Sequence, residues 1–256
     1  MAAADPPRVA VVTGAGRGLG RTIATTLGAH GMAVASVSRT APEIEETAAL
    51  VRAARGRGLA LVADLTEWDQ VRAVFARVEE ELGPVDLLVN NAGACRAIGP
   101  SWELDPELWW SDVAANLLTT YLCTRAVLAT MTARRAGCIV NLGSESGVAH
   151  PDVGAPAGAD PFMAMTAYGT AKAAVHQLTG QLAGELAPYG ISVFAIRPGP
   201  VRTAMTDAIA ERLGVRADSW LPWVDEGEGA AALIWRLANG EGDHLNGRYI
   251  RSAAEL

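Results

Sequence analysis

Tyr168 and Lys172 stand four residues apart in the segment Thr166–Pro188, whose pattern predicts a helix, and that spacing puts both side chains on one face. A tyrosine titrating near ~10 is a poor acid or base at neutral pH, but a neighbouring ammonium favours the phenolate and is expected to bring that pKa down. Such a pair can exchange a proton with an alcohol or a carbonyl compound. Upstream, Ser144 ends Asn141-Leu142-Gly143-Ser144, and a hydroxyl that both donates and accepts suits an oxygen passing between carbonyl and alkoxide. Ser146 is its close competitor. A serine hydrolase is disfavoured, because Gly-x-Ser-x-Gly needs a glycine where Leu142 stands and no suitably placed His/Asp set is evident.

A second constellation lies near the start, in Thr13-Gly14-Ala15-Gly16-Arg17-Gly18-Leu19-Gly20. Glycine lets a backbone turn tightly and approach a phosphate, while the amino end of the following helix offers N–H donors and a positive dipole. A pyrophosphate is the natural guest. The spacing is Thr-Gly-x-x-x-Gly-x-Gly rather than Gly-x-Gly-x-x-Gly, and a tight strand–helix turn alone would also use these residues.

Short apolar β-type runs must position these groups: Val9–Val12, Ala33–Val37, Leu59–Ala63, Asp86–Val89, Cys138–Leu142 and Ile191–Ile196. Helical patterns alternate with them over Gly18–Ala29, Pro42–Arg55, Glu67–Leu82, Pro106–Arg134 and Thr166–Pro188. A late helix near Glu226–Ala238 and a short strand near Gly247–Ile250 complete the series. Alternation of this kind implies right-handed crossovers and a doubly wound parallel α/β sheet of about seven strands, covered on both faces. No linker or repeat divides the chain, so a single domain over 1–256 is expected. Two stretches break the regularity: Gly147–Phe162, with Pro151, Pro156 and Pro161, and Arg202–Val224, with Trp220, Pro222 and Trp223. Both follow strands, which puts them at the carboxyl edge, where open α/β sheets bind ligands.

With Asn90-Asn91-Ala92-Gly93 after the fourth strand and Tyr168-Gly169-Thr170-Ala171-Lys172 further on, the sequence resembles the short-chain dehydrogenase/reductase family. The resemblance extends to Asp64-Leu65, Asn116, Asn141-Leu142-Gly143-Ser144 and Arg197-Pro198-Gly199-Pro200-Val201-Arg202-Thr203, and so covers nearly the whole chain. It implies a Rossmann fold, a nicotinamide cofactor and hydride transfer between a carbonyl and an alcohol. By resemblance the catalytic set is Asn116, Ser144, Tyr168 and Lys172. Ser144 would hold the substrate oxygen, Lys172 would also bind the nicotinamide ribose, and Asn116 would hold a water in a relay from Lys172. The cofactor would lie along Gly14, Gly18, Leu19 and Gly20, Asp64 and Leu65, Asn90, Ala92 and Gly93, and Pro198, Gly199, Val201 and Thr203. For Asp64, capping of the next helix is an equally simple role, and Asn-Ala-Gly can be a turn.

Charge argues for NADP(H) over NAD(H). An acidic residue ending the second strand would bond the ribose hydroxyls of NAD and repel a 2′-phosphate, and Ser38 stands there instead. Arg39 follows, and Arg17 lies in the glycine turn, so two guanidinium groups can clasp a phosphate.

The sequence departs from the family in two places. The connection from Ser144 to Tyr168 is longer than usual, so 147–162 is expected to loop out beside the substrate, and the carboxyl end lacks the usual Asp-Gly-Gly. Trp220 and Trp223 fall in the expected lid, 200–224, where aromatics would favour a bulky or aromatic carbonyl compound. The missing Asp-Gly-Gly weakens the inherited tetramer, but by resemblance helices Pro106–Arg134 and Thr166–Pro188 suit the family's dimer interface, so a homodimer or homotetramer is expected.

The balance of 21 basic against 28 acidic residues, without a basic block, argues against nucleic acid or an anionic membrane as partner. Half of the 256 residues are apolar, enough for a sizeable core. Cys95, Cys123 and Cys138 are scattered and unpaired in sequence, so neither a disulfide framework nor a metal site is expected. No apolar run is long enough for a signal core or a membrane span, which suggests a cytoplasmic protein. A cofactor-binding scaffold without turnover, or a dehydratase or epimerase on the same fold, are the alternatives.

Overall fold

Strand β1 (Val9–Thr13) shows how the sequence builds the sheet: all five residues are buried, with Val9 and Val11 in one apolar cluster and Ala10 and Val12 in another. A strand buried on both faces needs no polar alternation, and the side-chain period of two shares it between two helix layers. Strand β6 (Ile191–Ile196) repeats the device, sending Ile191 and Val193 to one side and Phe194 and Ile196 to the other. The computed structural model describes residues 8–148, 164–216 and 227–256.

Between these strands come helix α1 (Gly18–Ala29), β2 (Ala33–Ser38), α2 (Ala41–Ala53), β3 (Arg57–Val62), α3 (Trp68–Glu81) and β4 (Val85–Asn90). Helices α4 (Pro106–Val113) and α5 (Thr119–Arg134), strand β5 (Gly137–Leu142) and α6 (Thr166–Leu186) precede β6. Helices α7 (Ala204–Leu213) and α8 (Glu228–Ala238) and strand β7 (Tyr249–Ile250) follow it. The seven strands lie in the order β3-β2-β1-β4-β5-β6-β7, every neighbouring pair parallel. Helices α3, α5 and α6 cover one face, and α1, α2 and α8 the other. This is the doubly wound Rossmann arrangement. The order reverses between β1 and β4, so the crevice at their carboxyl ends is where a ligand fits.

The seam at that crevice is polar. Thr13 Oγ1 accepts from the N–H groups of Asn91 and Ala92, each at 3.0 Å, and Asn91 Nδ2 donates to the carbonyls of Thr13 and Gly14 at 2.8 and 3.1 Å. These bonds fix the glycine turn against the loop after β4.

Three expectations shift. The third strand starts at Arg57 rather than Leu59, because pairing with β2 extends to Ala33↔Arg57 and Val34↔Gly58, where polarity and a glycine hide the strand pattern. Gly58 is needed there: a Cβ would sit 2.3 Å from the Ala48 carbonyl oxygen of α2. The single long helix expected over Pro106–Arg134 is interrupted by a π-turn at Ala114–Leu118. Its centre is Asn116, whose Nδ2 donates to the Asp112 carbonyl at 2.8 Å. The wider turn itself closes where the Thr119 N–H reaches back five residues to the Ala114 carbonyl. Finally, 202–224 contains α7, started by a reciprocal Thr203–Thr206 capping box and ended by Gly214 in a left-handed conformation. Trp220, Pro222 and Trp223, like Pro151, Pro156 and Pro161, lie outside the described residues.

Burial predicts the stability response. Phe194 is fully buried in β6, so Phe194→Ala is expected to cost about 3–5 kcal/mol and to lower Tm by about 10 °C in a thermal melt. Val62 on the edge strand is 54% exposed, and Val62→Ala should stay within about 0.5 kcal/mol of the parent.

Candidate active site

The glycine turn is shaped by backbone and by close approach. Gly14 and Gly18 hold φ at 64° and 52°, in the left-handed region that glycine enters without strain. Gly20 admits no side chain, since a Cβ there would lie 2.4 Å from the Gly14 carbonyl oxygen and 2.5 Å from Asn91 Nδ2. Helix α1 begins with no side-chain cap and no acidic residue in its first turn, which leaves its dipole and N–H groups for an anionic guest. Arg21, which sequence reasoning passed over, braces the turn from behind. Its Nη2 and Nε donate to the Gly16 carbonyl at 2.6 and 3.1 Å, and Nε also reaches Thr47 Oγ1 at 3.2 Å. Across the crevice, Thr203 Cγ2 approaches to 3.3 Å of where a Gly18 Cβ would stand, Gly199 holds φ at 86°, and Val201 is buried. Segment 198–203 and the glycine turn therefore face each other, as a bound dinucleotide requires, and the cradle fits a pyrophosphate.

At the far end of the cradle the geometry is mixed. Ser38 ends β2 half-buried, and Arg39 beside it is exposed but near enough to help lower the Asp64 pKa. Arg17, 69% exposed, does not stand alone: its Nη1 lies 3.6 Å from Glu43 Oε1. A Cβ on Gly16 would meet both Ser38 Oγ, at 2.9 Å, and Glu43 Oε2, at 3.0 Å, so this carboxylate borders the expected phosphate clasp. It comes from α2, beyond the end of the second strand, where a sequence search for the acidic residue does not look. Asp64 turns its Oδ1 to the N–H and hydroxyl of Thr66, at 2.9 and 2.7 Å, and these two bonds hold its carboxyl below the ordinary range. Leu65 is buried in the core.

Along β4 the expected row divides. The Asn90 side chain is committed to the sheet interior, donating to Thr124 Oγ1 at 3.1 Å and Asn141 Oδ1 at 2.9 Å, rather than lining the crevice. Ala92 is half-buried, and Gly93 is exposed at the crevice. Behind Gly93 sits Asn116 Oδ1, 2.5 Å from where a Cβ would stand, with Lys172 Nζ 4.0 Å from the same point. The two carbonyls that accept from Nδ2, Ala94 at 2.6 Å and Asp112 at 2.8 Å, fix the amide so that Oδ1 faces this spot; it is buried and has no partner among the described residues. Asp112, another residue sequence reasoning missed, is fully buried and anchors the loop by accepting from the N–H groups of Arg96 and Ala97.

Tyr168 and Lys172 do share a face of α6. Lys172 Nζ is 5.5 Å from the centre of the Tyr168 ring and donates to the Leu142 carbonyl at 2.7 Å, while the side chain is buried. Burial lowers the ammonium pKa to about 8. The expected lowering at Tyr168 is corrected: burial dominates and, with Cys95 adding to it, raises the phenol to about 12, while a hydrogen bond with Ser144 pulls the other way. In this environment Tyr168 is held as a protonated phenol near neutral pH. Ser144 Oγ accepts from the Ser146 N–H at 3.2 Å, and Ser146 is buried with its hydroxyl unpaired. Of the two serines, Ser144 is the one joined to Tyr168. Above them α7 supplies Met205 and Ile209 to an apolar cluster with Cys95, Ile98, Met165 and Tyr168. All three cysteines are free and buried, with thiols pushed up to about 12.

Residues 8–214 match the family model of the short chain dehydrogenases. The chain belongs to that family. It is 40% identical over 211 residues to the short-chain reductase protein NovJ of Streptomyces niveus, covering 82% of this chain and 76% of the relative. It is 38% identical over 248 residues to an L-tagatose-forming galactitol 2-dehydrogenase of Cereibacter sphaeroides, covering 93% and 90%. Among solved structures, an actinorhodin polyketide ketoreductase variant with NADPH superposes at a TM-score of 0.83 with 30% identity, over 98% of this chain and 97% of that one. As a short-chain dehydrogenase the chain is an oxidoreductase acting on CH–OH and C=O groups, and the family binds nicotinamide cofactors. No helix among the described residues is long and apolar enough to cross a membrane.

The buried ammonium generates a stability prediction whose sign follows from the lowered pKa. An unfolded lysine keeps its proton to about 10.5 and the folded one only to about 8, so the penalty is complete below pH 8 and is relieved as pH rises towards 10.5. Lys172→Met removes the charge. Its Tm relative to the parent should therefore be highest below pH 8 and should fall steadily between pH 8 and 10.5 in parallel melts.

Proposed function

We propose that this short-chain dehydrogenase is an NADPH-dependent oxidoreductase that interconverts a ketone or aldehyde with its alcohol, using Tyr168 as the acid/base. The observation that carries the reading is the meeting of a neutral phenol, its hydrogen-bonded serine and a buried ammonium beside an unpartnered amide oxygen. Ser144 orients the carbonyl oxygen, and Tyr168 gives that oxygen its proton in reduction and takes it back in oxidation. When bound, the nicotinamide supplies the hydride in one direction and accepts it in the other. Burial keeps Tyr168 protonated, which suits the donor in reduction. Lys172 has ammonium protons beyond the one given to Leu142, and these would hold the nicotinamide ribose and a water shared with Asn116 Oδ1, through which the proton is restored. Gly14, Gly18, Leu19 and Gly20 would carry the pyrophosphate. Asp64, Leu65, Ala92 and Gly93, with the backbone of Asn90, would flank the adenine side and the middle of the cofactor. Pro198, Gly199, Val201 and Thr203 would close over it.

The preference for NADP(H) rests on Ser38 in place of a carboxylate and on Arg17 and Arg39 at the rim. Glu43 works against it, since Arg17 must exchange this carboxylate for the phosphate. The apolar cluster under α7 supports a substrate with apolar bulk, bound by a chain that forms a single domain. Trp110, Leu118 and Tyr121 are exposed along α4 and α5, which supports self-association as a dimer or tetramer through that face. A cytoplasmic location fits the three unpaired thiols.

Absorbance of NADPH and NADH followed against a panel of ketones, aldehydes and quinones tests the reading. Tyr168→Phe should reduce turnover by at least about 10³-fold while the Kd for NADPH, from fluorescence titration, stays within about threefold. Retained turnover would remove Tyr168 from its role. Glu43→Gln is expected to tighten NADPH by roughly three- to tenfold and to leave NADH nearly unchanged. Equal effects on the two cofactors would show that Glu43 does not face the 2′-position.

A further inference from the structure

One more titratable side chain reaches the Ser144 turn. His176 stands one turn beyond Lys172 on the same face of α6, and its Nε2 accepts the backbone N–H of Ser144 at 3.3 Å. The ring is stacked on Tyr249 of β7, with centroids 4.1 Å apart and planes 30° apart, so its orientation is set from the far edge of the sheet. Gly143 makes room for both rings: a Cβ there would lie 2.5 Å from Nε2 and 2.7 Å from Tyr249 Cε2. A histidine that accepts at Nε2 while neutral carries its proton on Nδ1. The imidazole thus fastens the turn at Ser144, with its ring seated over Gly143.

We propose that neutral His176 is a positioning residue for Ser144, and that protonation of its ring, rather than of Tyr168 or Lys172, ends activity on the acid side. A proton on Nε2 would set two donors against each other at the Ser144 amide and release the turn. The charges around the ring favour the neutral form. Burial and the Lys172 ammonium hold its pKa below the ordinary histidine value, Arg251 adds to them, and Glu145 opposes. Glu145 is itself occupied, accepting from Tyr249 Oη at 3.3 Å and Arg251 Nε at 3.1 Å, with Arg197 Nε at 3.9 Å. The inference rests on the proposed role of Ser144 for its kinetic consequence, but not for the linkage itself.

Two measurements separate these. In ¹⁵N NMR of the full chain, with His176→Gln used to assign the ring signals, neutral His176 should be the Nδ1–H tautomer. The Ser144 amide should shift with the same midpoint as the ring. An Nε2–H tautomer, or a Ser144 amide indifferent to the ring's titration, overturns the proposal without any substrate. In kinetics with the best carbonyl compound of the panel, kcat/KM should fall about tenfold per pH unit below that midpoint. His176→Leu should lose at least about tenfold in kcat with NADPH affinity unchanged. His176→Gln, whose amide oxygen can accept at similar reach, should recover much of that loss and lack the acid limb. An unchanged acid limb in His176→Gln overturns the proposal. If Ser144→Ala keeps full turnover, the reading of Ser144 fails instead, and the NMR linkage stands or falls separately.

Discussion

A buried ammonium whose hydrogen bond goes to a main-chain carbonyl is the constraint on which the site depends. Lys172 reaches Leu142 at the very end of β5, and that bond is possible only if α6 lies directly over the strand's carboxyl edge. Close approach there has to be built in. A Cβ on Gly147 would lie 2.6 Å from Ala173 N and Lys172 C, and one on Gly169 would lie 2.9 Å from the Ser146 carbonyl oxygen. Small residues on both partners let the serine turn seat against the helix, and this seating lets three successive turns of α6 present Tyr168, Lys172 and His176 to one short segment. The helix alone places them on a face; the fold decides what that face meets.

Deeper in the sheet, a polar ladder maintains the register of the elements that carry the site. Asn90 of β4 bonds Asn141 of β5, and Asn141 Nδ2 bonds Thr179 Oγ1 of α6 at 2.9 Å, so the two strands and the helix are joined by fully buried amides. Apolar packing tolerates small sliding, whereas a buried amide left unpaired costs about 1–3 kcal/mol, which makes the hydrogen-bonded register the only favourable one. Asn90 serves the cofactor crevice by holding β4 in place. Sequence comparison sees an asparagine beside Ala92 and Gly93 and groups it with them, and only the direction of its side chain separates the two roles.

Fold class and the convergence of Tyr168, Lys172 and Ser144 are legible because local pattern and topology agree: apolar runs buried on both faces, glycines where the backbone must turn, and a helical spacing of four. What stays hidden is carried by contacts between residues far apart in the chain. The π-turn around Asn116 changes the hydrogen-bond step from four to five residues, which no period in the apolar pattern reports. Glu43 enters the rim from the helix after β2, and His176 reads as one more residue of an amphipathic helix until Gly143 and Tyr249 are brought to it. The tyrosine pKa shows the same limit. From sequence the charge of Lys172 is the visible influence, yet in the fold desolvation of the ring outweighs it, and desolvation depends on the whole enclosure.

Unpaired buried polar atoms complete the argument about where this chain spends stability. Asn116 Oδ1, behind Gly93, and Ser146 Oγ, in the serine turn, are both without a partner among the described residues. Thr25 Oγ1, Ser36 Oγ and Asn90 Oδ1, elsewhere in the fold, are also unpaired among the described residues; the pair near Lys172 differs in lying at the carboxyl edge, where a bound molecule could satisfy it. The same region holds the depressed lysine and the raised tyrosine, each displaced from its ordinary proton affinity by burial. Packing these positions with apolar side chains would make a steadier sheet, but it would remove the phenol and the ammonium that can hold or move a proton beside Ser144.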